Sequence, residues 1–196
     1  MRIIYKNFLL TNNINNFKNI FNIITHNIPR TIFSKLNSKF FAKLINEKII
    51  DIYVIKKDKK IVSLITTTSV KNYVILKKKI FLFFIQNPFI ILNNLNFFFN
   101  ILFRDFSEID IKMDKNYLHL LHLVIFKKKF FSISLSKKDY LINFFFKEIL
   151  KINSANTFYL CYEHDNFNAQ KFYKRNNFKI FKKNRNTIFV KKKFKI

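Results

Sequence analysis

Ala169, Phe172 and Tyr173 stand at i, i+3 and i+4, which is one face of a helix, behind Asn166, whose side chain suits the N-cap. A phenol stays protonated at neutral pH and can act as a proton donor. An ordinary amphipathic helix with a core tyrosine has the same spacing. Lys129, Phe130, Phe131, Ser132, Ile133 and Ser134 form a second group, between an apolar run and a helical pattern. Small residues there let backbone N–H groups and a helix N-terminus approach an anion such as pyrophosphate, although a lysine-rich loop capped by serine has the same composition. His119 and His122 titrate in the range of a general base. Three residues apart, they point to opposite faces of a regular strand unless a bulge intervenes, and either also reads as a structural histidine. Glu163 and Asp165 are lesser candidates for a base, and His26 and His164 have no assigned role. Cys161 is the single cysteine and the histidines lack ligand spacing, so neither a disulfide nor a metal site is expected.

The elements that would position these residues follow from periodicity. Residues 3–9 read as a strand. Residues 17–24 read as a helix capped at Asn12 or Asn13 and ended by Pro29, with a second helix over 34–47. Residues 51–56 and 61–67 are β-rich runs around the turn Lys57-Asp58-Lys59-Lys60. Residues 75–104 read as helical with a break near Pro88. A buried strand over 117–126, a helix over 132–150, a strand over 157–162 and a helix over 166–176 follow. The chain closes with a hairpin of 178–181 and 187–192. This order predicts an α/β domain spanning 1–196: one mixed sheet of about seven strands flanked by helices, splayed between 117–126 and 157–162, with a helical insertion over 72–106.

Composition bounds the partners. The chain holds 37 Lys and Arg against 11 Asp and Glu, a net charge of +26, with 28 Phe, no Gly and no Trp. The basic residues are spread along the chain and not gathered into a stripe, which weighs against a nucleic-acid interface while favouring anionic ligands. Residues 80–103 carry no charge but hold seven Asn, Gln and Pro residues, among them Gln86, Asn93 and Asn100. That many amides predict a soluble or interfacial helix and no membrane span. The first residues have no apolar core of signal-peptide length, so a cytoplasmic location is expected.

The stretch from Asn166 to Phe178 resembles the signature N-x-x-A-x-x-F-Y-x-x-x-G-F of the GCN5-related N-acetyltransferases, the GNAT family, with Asn177 in place of the glycine. Asn is the next best residue for the left-handed turn that the glycine makes. Lys129 to Ser134 is similar to the family's Q/R-x-x-G-x-G/A loop, with Ser132 and Ser134 as the small residues. His26 to Phe41 resembles the H…P-x-S-F-L-S-x-L-G-x-x-F-L stretch of a subgroup that also carries a helical insertion. The resemblance implies the acyl-CoA N-acyltransferase fold, acetyl-CoA as cosubstrate, no metal, and transfer of acetyl to a primary amine by direct attack. It assigns backbone N–H groups of Leu123, Val124 and Ile125 to the oxyanion, the loop with Asn166 and Ala169 to the cosubstrate, and the phenol of Tyr173 to the departing thiolate. Relatives often place a Glu on the fourth strand in a pattern like E-L-L-S-I-A-V, where this chain reads His119-Leu120-Leu121-His122-Leu123-Val124-Ile125. The acceptor is left open between protein N-termini, small amines and amino sugars, as is a homodimer. A non-catalytic acyl-CoA-binding domain and a basic membrane-surface protein are the competing readings.

Overall fold

The computed structural model describes residues 2–5, 8–12, 16–29, 32–92, 116–126 and 134–196. Residues 129–133 of the expected anion-binding loop and the latter part of the insertion lie outside them. The described elements run β1 (Arg2–Tyr5), β2 (Phe8–Thr11), α1 (Phe17–Asn27), a 3₁₀ turn (Ile32–Lys35), α2 (Ser38–Asn46), β3 (Asp51–Lys57) and β4 (Lys60–Ser69). Then come α3 (Val70–Ile85), α4 (Pro88–Leu92), β5 (Tyr117–Ile125), α5 (Leu135–Ile152), β6 (Thr157–Glu163), α6 (Phe167–Arg175), β7 (Lys179–Lys183) and β8 (Thr187–Lys193).

Eight strands form one sheet in the order β1-β2-β3-β4-β5-β6-β8-β7, one more than expected. The extra strand arises at the N-terminus, where the single expected run is two short strands paired antiparallel, with Tyr5 opposite Phe8. The expected second helix likewise divides, because Asn37 caps α2 by accepting from the Phe40 N–H at 2.7 Å and so starts the helix afresh. The break expected near Pro88 falls at Gln86 and Asn87, and Pro88 opens α4.

Apolar residues alternating along the strands feed two cores, one on each face of the sheet. On one face α5 contributes Leu141, Ile142, Phe145, Phe146, Ile149 and Leu150, packed on Phe158, Phe178 and Phe194. On the other, α1, α2 and α3 bury Ile24, Phe41, Leu44, Leu76 and Phe84 over Val54, Leu64 and Val124. Phe supplies much of this volume: Phe146 lies 4.9 Å from Phe158 and 6.3 Å from Phe194, centroid to centroid.

A chain without glycine must make its left-handed turns with other residues. Asp58 and Lys59 join β3 to β4 with φ of 49° and 63°, the hairpin geometry usually given to Asn-Gly. A side chain with a Cβ costs about 1 kcal/mol in that region. Lys59→Gly is therefore expected to stabilise the protein by about 0.5 kcal/mol after the added unfolded-state freedom of glycine. Thermal unfolding should show a midpoint raised by ~1–3 °C. An unchanged or lower midpoint would mean that the turn carries no strain. Asn177, with φ of 59°, makes the left-handed turn expected after α6.

Candidate functional site

All neighbouring strands pair antiparallel except β5 and β6, which are parallel and paired over three positions: Tyr117 with Thr157, Leu118 with Phe158, and His119 with Tyr159. Beyond that last rung the strands part company. Residues 120 and 122–125 continue along β4, while residues 160–163 continue along β8. The sheet thus opens into a wedge between two strands whose facing edges are not paired with each other. The Phe126 N–H donates to the Val62 carbonyl at 3.0 Å. Since N–H direction alternates along an antiparallel strand, Val124 also faces β4, and Leu123 and Ile125 direct their N–H groups into the wedge. Leu123 and Ile125 are half-buried there.

Two helices begin at the open end. Ser134 precedes α5; its hydroxyl does not cap the helix and lies 3.2 Å from that of Ser136. Asn166 caps α6 by accepting from the Ala169 N–H at 3.0 Å, so its side chain is committed to starting that helix, and Ala169 packs on the adjoining core. The loop residues Lys129, Phe130, Phe131, Ser132 and Ile133 lie outside the described residues. Beside the start of α5, Arg175 makes a bidentate ion pair with Asp139, and Lys192 donates to Asn143 Oδ1 at 2.6 Å. Leu135 and Ser136 line the same open hollow. Nothing in the sequence pattern singles these groups out, because α5, α6 and β8 bring them together only in the fold.

His119 and His122 come out on the same face of the sheet. The register of β4 against β5 shifts between Thr66, opposite His122, and Thr67, opposite Leu120, so Leu121 is a bulged residue. This extra residue turns a spacing of three into same-face neighbours. Both rings are buried on the face carrying α1 and α3. His122 Nδ1 lies 2.7 Å from the Thr66 hydroxyl and its ring meets Phe33 edge-on at 4.6 Å. His119 sits between Tyr73 and Tyr159, at 4.2 and 4.8 Å, at the vertex of the wedge, and its Nδ1 has no hydrogen-bond partner among the described residues. Burial holds His119 down to about 3, with the Lys77 charge and His122 adding to the effect, and burial alone holds His122 at about 3. Both are neutral at pH 7. Thr66 and Thr68, opposite His122 and His119, add two buried hydroxyls on that face, while Thr67 stands opposite Leu120 on the other, and its Oγ1 also lacks a partner among the described residues. Three consecutive threonines near the end of an apolar strand were the available sequence signal for these hydroxyls.

Tyr173 faces inward from α6, stacked on Tyr162 at 5.5 Å and 18° and edge-on to Phe178 at 5.0 Å. Burial raises its phenol well above the usual tyrosine range, and the neighbouring Cys161 thiol and Tyr162 phenol push the same way. Glu163 ends β6 and His164 and Asp165 form the exposed turn before α6, while His26 is exposed in the last turn of α1. Among the described residues no group of three His, Cys, Asp or Glu could hold a metal, and no helix is long and apolar enough to cross a membrane.

No protein-family model matches the sequence, and no curated protein matches it either. Solved structures do match. The N-acetyltransferase PseH of Campylobacter jejuni in complex with acetyl coenzyme A superposes with a TM-score of 0.54 at 13% identity, covering 95% of this chain and 98% of that one. PaiA N-acetyltransferase of Thermoplasma acidophilum in complex with coenzyme A gives 0.52 at 12%, covering 95% and 99%. A GNAT family acetyltransferase of Elizabethkingia anophelis with acetyl-CoA bound gives 0.54 at 7%, covering 97% and 100%. Over nearly its whole length this chain has the fold of the GNAT acetyltransferases.

Proposed function

We propose that the protein is a GNAT-family N-acetyltransferase that moves the acetyl group of acetyl-CoA to a primary amine. The single observation that carries this reading is the wedge: a parallel strand pair that separates after three rungs and leaves the Leu123 and Ile125 N–H groups facing the gap. A thioester arm laid along β5 would find those two donors where a β6 neighbour would otherwise stand, and its carbonyl oxygen would gain negative charge beside them. The start of α5 offers the helix N-terminus suited to a pyrophosphate, in a protein of net charge +26. When bound, the cosubstrate supplies an activated acyl group with a thiolate leaving group. Tyr173, held protonated by burial, is the group assigned to return a proton to that sulfur. His119 at the vertex and His122 further along the same face, both neutral, are assigned to orient the incoming amine or a water beside it. With values near 3 they are too weak to remove the amine's proton directly.

Acetyl-CoA is expected to bind with an affinity that falls as salt is added, because phosphate contacts are screened. A panel of protein N-terminal peptides, small amines and amino sugars should contain an acceptor that drives thiol release above background. The thiol of Cys161 contributes at most a stoichiometric signal, which turnover must exceed. Absence of acetyl-CoA binding would remove the proposal. The burial of Tyr173 and the low values of both histidines favour one second reading, an acyl-CoA-binding domain without catalysis. Binding without thiol release from any amine would select it.

A further inference from the structure

Helix α3 is apolar on two opposite faces. Leu76, Ile80, Phe83 and Phe84 are buried in the core, while Val74, Leu82 and Ile85 remain 49–52% exposed on the other side. The short α4 continues the outer surface with Phe89 at 78% and Leu92 at 65%. Lys71 and Lys78 stand on the same outer stripe, at i and i+7 with Leu82 and Ile85 at i+11 and i+14. Glu47, the acid paired with α3, is taken by Lys79 at 2.9 Å, and Lys77 lies over the Tyr73 ring. The stripe is therefore apolar at one end and cationic at the other.

A solvent-facing strip of large side chains ordinarily marks an interaction surface. We propose that the outer face of α3 and α4 docks on an anionic lipid bilayer. Leu82, Ile85, Phe89 and Leu92 would enter the headgroup–acyl boundary, and Lys71 and Lys78 would meet anionic headgroups. Charge complementarity selects this occupant. A second copy of the chain would bring another +26 to the contact, whereas an anionic leaflet meets both the lysines and the apolar side chains. With 16 residues, α3 is about 24 Å long, short of the ~30 Å hydrocarbon core, so it lies in the interface and does not cross. This inference stands apart from the acetyltransferase proposal and is read by a different measurement.

The chain has no tryptophan, so one introduced indole reports its own position. Leu82→Trp and Phe89→Trp place it on the proposed face, and Ile180→Trp places it on the edge strand β7, at a site 50% exposed. The full-length variants are mixed with vesicles of phosphatidylcholine alone or with phosphatidylglycerol, each with and without brominated acyl chains. Blue-shifted emission and bromolipid quenching at 82 and 89, absent at 180 and dependent on phosphatidylglycerol, are the expected result. Leu82→Ser with Ile85→Ser should then lower vesicle partitioning by about tenfold or more, with acetyl-CoA affinity unchanged. Equal quenching at all three positions would mean general adsorption by charge and would overturn the proposal. So would the absence of any vesicle-dependent change. A blue shift that follows protein concentration without vesicles would give the face to a second copy, with the same consequence.

Discussion

Acidification from pH 7 to pH 4.5 is expected to remove on the order of 5 kcal/mol of folding stability, enough to unfold a typical domain of this size. Two groups carry the effect. In the folded protein His119 and His122 titrate near 3, while in the unfolded chain each returns to its ordinary 6.5. As pH falls below 6.5 the unfolded chain takes up protons that the folded one refuses, so stability is complete above that value and declines towards pH 3. Each pH unit below 6.5 costs about 1.4 kcal/mol per histidine, so two units and two histidines give the total. Asp51 works in the opposite direction: burial raises its carboxyl against the pull of Lys48, so its protonation favours the folded state. That contribution grows as pH falls and offsets part of the loss. Denaturant titrations at pH 7, 6, 5.5 and 5 would trace the decline. His119→Phe keeps a ring between Tyr73 and Tyr159, and His122→Gln keeps a hydrogen-bond partner for Thr66, so the double variant should flatten the profile. An unchanged slope in that variant would show that other groups govern acid unfolding.

The residues that make this pair were legible in the sequence, but their arrangement was not. A spacing of three on a strand puts side chains on opposite faces, and only the cross-strand register with Thr66 and Thr67 makes Leu121 the bulged residue. Bulges are properties of a strand pair, and the sequence of one strand does not encode them. The β3–β4 hairpin, β5, β6 and the capped helix before Asn177 were readable because alternation, capping and the left-handed position are each local. The parting of β5 and β6 was expected from the order of strands and helices and corresponds to the three-rung pairing found here. The doubled N-terminal strand was missed because no glycine marks a turn between Tyr5 and Phe8. Depth was the least readable quantity. Helical spacing shows which face Tyr173 occupies, whereas its burial against Tyr162, Phe172 and Phe178 follows from the packing of α6 on the sheet.

That burial makes Tyr173→Phe the decisive substitution for the catalytic proposal. The variant is expected to fold with at least wild-type stability, since it keeps the stacked ring and removes one hydroxyl from an apolar core. Acetyl-CoA affinity should be unchanged, and turnover should fall about 10²-fold or more, the scale of losing a positioned acid. Burial raises the phenol above its usual range, which weakens it as an acid in absolute terms. A thiolate leaving into the same water-poor surroundings is destabilised by the same desolvation; the transfer moves its charge to the phenoxide, which regains the proton that the amine nitrogen gives up as the amide forms. The measurement is kcat and the acetyl-CoA Kd for the two proteins, with chemistry established as rate-limiting by single-turnover kinetics. A loss confined to kcat assigns the proton to Tyr173. A parallel loss of affinity and thermal stability would make it a packing residue whose removal loosens α6. A wild-type rate would end its role as acid and leave Tyr173 a core ring beside Cys161 and Tyr162. The thiolate would then have to leave unassisted or take its proton from water in the wedge.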